Sequence, residues 1–75
     1  MTMKQYLLLT TQYGGYTTYG IGYVEYDGDR PILIETYPDL CHTASPVEQL
    51  VESCNRSRLD HYHLRDVIED FLGSF

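Results

Sequence analysis

The side chains best suited to chemistry in this sequence are two cysteines and three histidines, namely Cys41, His42, Cys54, His61 and His63. Thiolate sulfur and imidazole nitrogen are common ligands of zinc in proteins. Structural zinc sites usually draw them from Cys-x2-4-Cys or His-x3-5-His pairs, and neither spacing occurs here. We therefore expect no metal and no cofactor. The alternative is a small metal- or ligand-binding protein that uses these five residues.

Enzymatic chemistry is also poorly matched by the sequence. The Cys-His neighbours at 41–42 lack an identifiable third group that would orient the imidazole against the thiol. The acid pairs Asp27/Asp29 and Glu69/Asp70 are explained by a turn and by the solvent-facing side of a helix. Phosphate-binding glycine loops, dinucleotide-binding glycine patterns and nucleophile elbows do not occur. The sequence therefore predicts a protein that is not an enzyme.

The charge of the chain limits its partners. Its 75 residues include eleven acids and five bases, for a formal net charge of −6. A surface of this sign repels phosphate groups, so we expect neither nucleic acid nor an anionic membrane as a partner. The spread of the acids along the chain favours a solubilising surface, and the alternative is a carboxylate array that imitates nucleic acid.

Length and cysteine content indicate the setting of the protein. A chain of this size predicts one small domain over residues 1–75. The apolar run Leu7-Leu8-Leu9 is far too short to span a bilayer, and no apolar run follows a basic amino-terminal segment. We therefore expect a cytoplasmic protein whose two thiols stay reduced.

The residues between 59 and 72 predict the amphipathic helix around which the chain is organised. Its apolar side chains recur at i, i+3, i+4, i+7 and i+8, which places them on one stripe. Asp60 is the expected N-cap, and Gly73 the expected left-handed residue beyond the last turn. A helix this short is marginal alone and needs a surface to cover. The stripe consists of Leu64, Val67, Ile68, Phe71 and Leu72.

A first helix is predicted upstream. Ser45 would cap it, Pro46 fits its first turn, and Glu48 could close a capping box. A loop over residues 38–43 would lead into it, and residues 55–57 would follow it. Its apolar stripe consists of Val47, Leu50, Val51 and Cys54.

Three strands are predicted before the helices, over residues 3–11, 16–26 and 30–37. Gly14-Gly15 would supply positive φ values at the first reversal, and Asp27-Gly28-Asp29 is a strong turn signal for the second. Pro31 lacks an amide proton, which places it at a strand start or on a sheet edge. Strands joined by two short reversals form an antiparallel meander.

Alternation along these strands predicts which side chains share a face. Gly20 and Gly22 leave a bare track on one face of the second strand, as at a bulge or a close backbone approach. On that strand, one face carries Tyr19, Ile21 and Tyr23, and the other Tyr16, Val24 and Tyr26. On the third strand, Ile32 and Ile34 point one way, and Leu33 and Tyr37 the other.

The expected fold is α+β, with a three-stranded antiparallel β-meander followed by two short α-helices packed on one sheet face (βββαα). Both faces carry large apolar or aromatic residues, yet two short helices can cover only one. Tyrosine tolerates a half-wet site and is enriched in protein contacts. We therefore expect a tyrosine-rich uncovered face or edge to contact another chain, most simply a second copy related by a two-fold axis. The candidate contact residues are Tyr16, Tyr19, Tyr23, Tyr26 and Tyr37.

The last third of the sequence adds a resemblance. Val47-Glu48-Gln49-Leu50-Val51 through Asn55, then Leu59, His63-Leu64 and the segment over residues 66–72, resemble a family of short proteins of unknown function from Gram-positive anaerobic bacteria and their phages. The segment Thr18-Tyr19-Gly20-Ile21 is similar to that family's central strand. The resemblance implies a bacterial or phage origin and carries no established activity.

These observations favour a non-enzymatic interaction module. We expect a small homodimer that binds or inhibits an unidentified protein partner.

Overall fold

The computed structural model describes residues 3–73 of the chain. Three strands come first: β1 spans Met3–Gln12, β2 spans Thr17–Asp27 and β3 spans Arg30–Cys41. Helix α1 (Ala44–Ser57), a single 3-10 turn (His61–His63) and helix α2 (Leu64–Gly73) follow. The strands form one antiparallel sheet in the order β1-β2-β3. This arrangement confirms the predicted α+β fold.

The two reversals of the sheet differ in their backbone. Between β2 and β3, Gly28 has the left-handed conformation expected of this turn, with a φ of 63°. Between β1 and β2, the Tyr13 N–H donates to the Tyr16 carbonyl oxygen at 2.8 Å. Neither Gly14 nor Gly15 has a positive φ there. The prediction of left-handed glycines at the first reversal was therefore wrong.

The third strand is interrupted by a register shift. Against β2, its pairing shifts between Tyr23 and Val24, which leaves Ile34 as an extra residue of β3. An extra residue reverses the alternation of the residues on either side of it. Leu33 and Tyr37 therefore lie on opposite faces of the sheet, although simple alternation predicts one shared face.

A second register shift lies where the sequence predicts a loop. Strand β3 continues to Cys41, and its pairing with β2 is irregular between Tyr19 and Ile21. Opposite this point, Asp39 has a left-handed backbone with a φ of 59°. A Cβ at Gly20 would collide with the Tyr37 carbonyl oxygen and lie 2.7 Å from the Pro38 Cα. The close backbone approach expected of a strand glycine is thus confirmed at Gly20.

Helix α1 begins earlier and ends later than the sequence predicts. Thr43 is its N-cap and makes no side-chain capping hydrogen bond, so the predicted Ser45 cap and its capping box were wrong. At the other end, the helix continues through Ser57 and closes at Arg58, whose backbone is left-handed with a φ of 53°. The Arg58 N–H donates to the Asn55 carbonyl oxygen at 3.2 Å.

Helix α2 follows the predicted pattern, with two changes at its ends. Asp60 caps the 3-10 turn that precedes it, because its carboxylate accepts from the Tyr62 N–H at 3.3 Å. Gly73 is the last helical residue and has no positive φ, so the expected left-handed cap was wrong. On the apolar stripe, Leu64 and Ile68 are buried, whereas Leu72 is exposed.

The core lies between the sheet and the two helices. Its rings pack at the centre of the sheet, where Tyr6 and Tyr23 are paired across β1 and β2 with their centroids 5.2 Å apart. The helices therefore cover one face of the sheet and leave the other open. The buried members of this core are Tyr6, Ile21, Tyr23, Cys54, Leu64 and Ile68. Within residues 3–73, no helix has the length and apolar character needed to cross a membrane.

Candidate functional site

The uncovered side of the sheet is an aliphatic surface, which we call the open face. Alternation and register place Leu7 and Leu9 of β1 on it, together with Val24 and Tyr26 of β2 and Leu33 of β3. Leu33 is 55% exposed, and Leu7 and Leu9 are half-buried. Most of the remaining open-face positions of the strands carry Met, Gln, Thr, Gly or Pro. A charged side chain lies on this side at one end of the sheet, where the Asp39 carboxylate accepts from the hydroxyl of Thr18.

Gly22 lies at the centre of the open face. A Cβ at this position would be 3.1 Å from Leu9 Cδ2 and 3.4 Å from Leu33 Cδ1. The side chains of Leu9 and Leu33, from the two edge strands, therefore converge over the glycine. The bare track predicted on β2 is thus covered by leucines at Gly22 and by the backbone of Tyr37 and Pro38 at Gly20.

The two edges of the sheet offer less to a partner than the open face does. On β1, the Asn55 side chain pairs with the backbone of Tyr6, accepting from its N–H at 2.8 Å and donating to its C=O at 3.0 Å. On β3, Pro31 and Pro38 lack amide protons, and the bulge at Ile34 interrupts the strand between them. Both edges are thus protected against the addition of a further strand.

The five candidate tyrosines do not form one surface. Tyr23 is 2% exposed beneath the helices, stacks on His61 at 4.7 Å and donates to Glu25 Oε2 at 2.8 Å. Tyr19 and Tyr37 are half-buried, and Tyr37 packs against the core. The expectation of a tyrosine-rich uncovered face was therefore wrong.

Two of the five tyrosines lie away from the helices. Tyr26 lies on the open face, where its hydroxyl donates to Gln5 Oε1 at 3.0 Å. Tyr16 is 55% exposed in the first reversal. A role for any of the five in partner contacts stays a prediction. The leucines of β1 were missed because the sequence does not show which face the helices choose.

The cysteines and histidines are also dispersed. Cys54 is buried in the core and His61 lies against Tyr23, whereas Cys41 and His42 end β3 and begin the loop to α1. His63 is exposed at the end of the 3-10 turn. Within the described residues, no three side chains of Cys, His, Asp or Glu are grouped so that they could hold a metal ion.

A hollow of about 340 Å³ lies at the end of the sheet next to the first reversal, and we call it the hairpin-end pocket. The Asp39 carboxylate is part of its lining and accepts from the Thr18 hydroxyl and, at 2.9 Å to each oxygen, from the Tyr13 hydroxyl. These bonds raise the pKa of Tyr13. The pocket is lined by Tyr13, Tyr16, Thr18, Asp39, Leu40, Cys41 and His42.

Sequence reasoning identified only part of this pocket. Tyr16, Cys41 and His42 were candidates for other reasons, whereas Tyr13 and Asp39 were missed. The two missed residues are 26 positions apart, and the β3 bulge that brings them together has no local sequence signal.

The three strands, two helices and open face define a small α+β protein with a single half-covered sheet. The chain belongs to a family of unknown function (DUF6514), whose model matches residues 2–74. The match spans the sheet as well as the helices. The chain matches no curated protein and no solved structure. The bacterial or phage origin implied by the resemblance stays a prediction.

Proposed function

We propose that this protein is a non-enzymatic interaction module that forms a homodimer through its open face. The observation that carries the proposal is the aliphatic surface of Leu7, Leu9 and Leu33, whose side chains meet over Gly22 and the buried Val24. Contiguous exposed apolar surface on a small domain is typical of an interaction site. Because both edges are protected, the face is the surface on which a partner would pack.

The dimensions of the protein support the packing of a further layer of structure on the open face. The protein is only 16 Å thick along its shortest axis, and its radius of gyration is 12.6 Å, against about 11 Å for a compact chain of this length. Its accessible surface is 5308 Å², whereas about 4,700 Å² is typical of a monomer of 8.7 kDa. The excess is consistent with a sheet that has one face left to bury.

A second copy fits the open face by size. Three strands of about ten residues present a footprint of roughly 14 by 33 Å. Two such faces would bury about 900 Å² in total, which is in the size range of weak or transient interfaces. A two-fold axis parallel to both sheets would bring the same leucines together from each side, as self-complementary interfaces require. Sheets pack in this way about 10 Å apart.

The net charge and the free thiols indicate which partners and which cellular compartment to expect. A net charge of −6 disfavours nucleic acid and anionic membranes as partners. We place the dimer in the cytoplasm of a bacterium or of a phage-infected cell, where it binds or inhibits a protein. The open face is assigned to self-association, so the surfaces outside it remain for that partner.

The test is the mass of the protein in solution, measured by size-exclusion chromatography with light scattering at micromolar concentration. The wild-type chain is expected at twice 8.7 kDa, and Leu33→Lys as a monomer. Ile32→Lys is the matched control, because Ile32 is similarly exposed but pairs with Glu25 on the other side of the sheet. A monomeric wild type, or equal effects of the two lysines, would overturn the proposal.

A further inference from the structure

We propose that the hairpin-end pocket binds a guanidinium or alkylammonium group, either an Arg or Lys side chain of a partner protein or a small free cation. The site lies at the end of the sheet, among Tyr13, Tyr16 and Asp39. This binding is separate from self-association, because the lining of the pocket includes none of the open-face leucines.

The first observation is an anion without a counter-ion. The Asp39 carboxylate accepts hydrogen bonds from two neutral hydroxyls, which leave its charge in place. The ion pairs formed within residues 3–73 are His61–Asp60 and Arg65–Glu69, both on the helical side of the molecule. An ionised carboxylate offers about four lone-pair sites, so the group can accept a further donor while it keeps both hydroxyls.

The second observation is the aromatic lining of the pocket. The rings of Tyr13 and Tyr16 are stacked with centroids 4.9 Å apart and planes 23° apart. His42 meets Tyr16 edge-on at 5.7 Å. Tyrosine rings carry negative potential on their faces and attract cations placed within about 6 Å of the ring centre. A carboxylate that is bonded to one tyrosine of a stacked pair is suited to a planar guanidinium, which can form hydrogen bonds to the carboxylate and stack on an aromatic ring at once.

The third observation is that the pocket is held in place before any ligand arrives. Thr18 is 5% exposed and anchors the carboxylate from within the sheet. Asp39 has a fixed left-handed backbone in the β3 bulge, and the Tyr13 hydroxyl ties the reversal to it. Binding of a ligand therefore costs little conformational entropy in the pocket residues. The lining contains no Lys or Arg, so it favours a cation over a phosphate or a carboxylate.

The experiment follows backbone amide shifts of the full chain by NMR during titration with N-acetyl-argininamide. The neutral isostere N-acetyl-citrullinamide serves as the matched ligand control. We expect saturable shifts confined to residues 13–18 and 39–42 with the guanidinium ligand, and none with the isostere. A parallel titration with n-butylammonium tests the alkylammonium group. If an Arg-containing tripeptide binds more tightly than either small cation, the natural ligand is a protein side chain. If all three bind equally, the natural ligand is a free cation.

Two variants locate the interaction. Asp39→Asn removes the charge and keeps an acceptor oxygen, and it should weaken binding by about two- to fivefold. Asp29→Asn, in the exposed second reversal, removes the same charge elsewhere and should have no effect. Tyr16→Ala tests the aromatic wall without touching the carboxylate, with the exposed Tyr62→Ala as its control.

Three results would overturn the proposal: shifts spread over all acidic residues, equal binding of the isostere, or equal effects of the Asp39 and Asp29 variants. Leu33→Lys separates this inference from the proposed dimer. It should dissociate the dimer and leave cation binding unchanged.

Discussion

Asn55 and Tyr6 form a reciprocal pair that joins helix α1 to the edge of the sheet. The Tyr6 N–H donates to Asn55 Oδ1 at 2.8 Å, and Asn55 Nδ2 donates to the Tyr6 carbonyl oxygen at 3.0 Å. The carboxamide therefore takes the place that a neighbouring strand would have beside Tyr6. This contact closes the β1 edge at Tyr6 and fixes the helix against it.

Asn55→Ala is expected to destabilise the fold by about 1–2 kcal/mol, because both backbone groups of Tyr6 lose partners in a partly buried position. Alanine is the better helix former, so the observed loss understates the contact. Urea unfolding followed by circular dichroism measures the change. Ser53→Ala, at an exposed position of the same helix, should stay within about 0.5 kcal/mol of wild type. Equal stabilities for the two variants would show that the Asn55–Tyr6 contact does not stabilise the fold.

Buried tyrosine hydroxyls, that of Tyr6 among them, should make the stability of the fold depend on pH in the alkaline range. Burial raises the pKa of Tyr6 from its ordinary value of 10.0 to about 12, and burial also raises the pKa of Tyr23 and of Tyr37. Between pH 10 and 12 the unfolded chain releases these protons while the folded chain keeps them, so stability must fall as pH rises. Below pH 10 both states are protonated, and this dependence should be absent.

Tyr6→Phe tests that assignment. The variant should lose about 1–2 kcal/mol at neutral pH, because the Leu59 carbonyl oxygen no longer accepts a bond that measures 2.6 Å. Above pH 10, its unfolding free energy should fall less steeply than that of wild type. Urea titrations at several alkaline pH values give both numbers. Parallel slopes for wild type and variant would show that Tyr6 ionises equally in both states.

Local patterns in the sequence predict most of the fold, and long-range contacts account for the errors. The stripe of α2 and the turn at Gly28 depend on neighbouring residues, so a single sequence reveals them. The position of Asp39 depends on Tyr13 and Thr18, which are 26 and 21 residues away. No local pattern encodes such a contact, and the bulge and the hairpin-end pocket were missed for this reason.

The same limit explains the misplaced surface. Alternation separates the two faces of β2 correctly, but it does not show which face the helices will cover. Tyr23 lies under the helices because Leu64 and Ile68 pack in the same core, and Leu33 then lies on the open face because of the bulge at Ile34. The bulge at Ile34 and the side on which the helices pack thus explain why the open face is aliphatic and not, as the sequence predicts, rich in tyrosine.

The glycines of β2 predict a graded response to alanine. Gly20→Ala should be severely destabilising, by about 3 kcal/mol or more, because the new methyl group would collide with the backbone of Tyr37 and Pro38. Gly22→Ala should cost less, since it meets the movable side chains of Leu9 and Leu33.

Gly14→Ala is the control for this series. At Gly14 no described atom lies within 4 Å of the new Cβ, and φ is not positive, so the change should be close to neutral. Thermal unfolding of the three variants gives the order. If Gly20→Ala proved as stable as Gly14→Ala, the close approach of β3 to β2 at the bulge would be wrong.

The two cysteines should differ in reactivity because they differ in burial. Burial raises the pKa of the Cys54 thiol, whose side chain is 3% exposed in the core, and the thiolate is the reactive form. Cys41 is only half-buried, at the end of β3. In native buffer, an aromatic disulfide reagent should therefore modify Cys41 rapidly and Cys54 only as the chain opens. Cys41→Ser should react slowly until denaturant is added. Rapid modification of that variant in native buffer would place Cys54 outside the core and contradict the packing of α1 on the sheet.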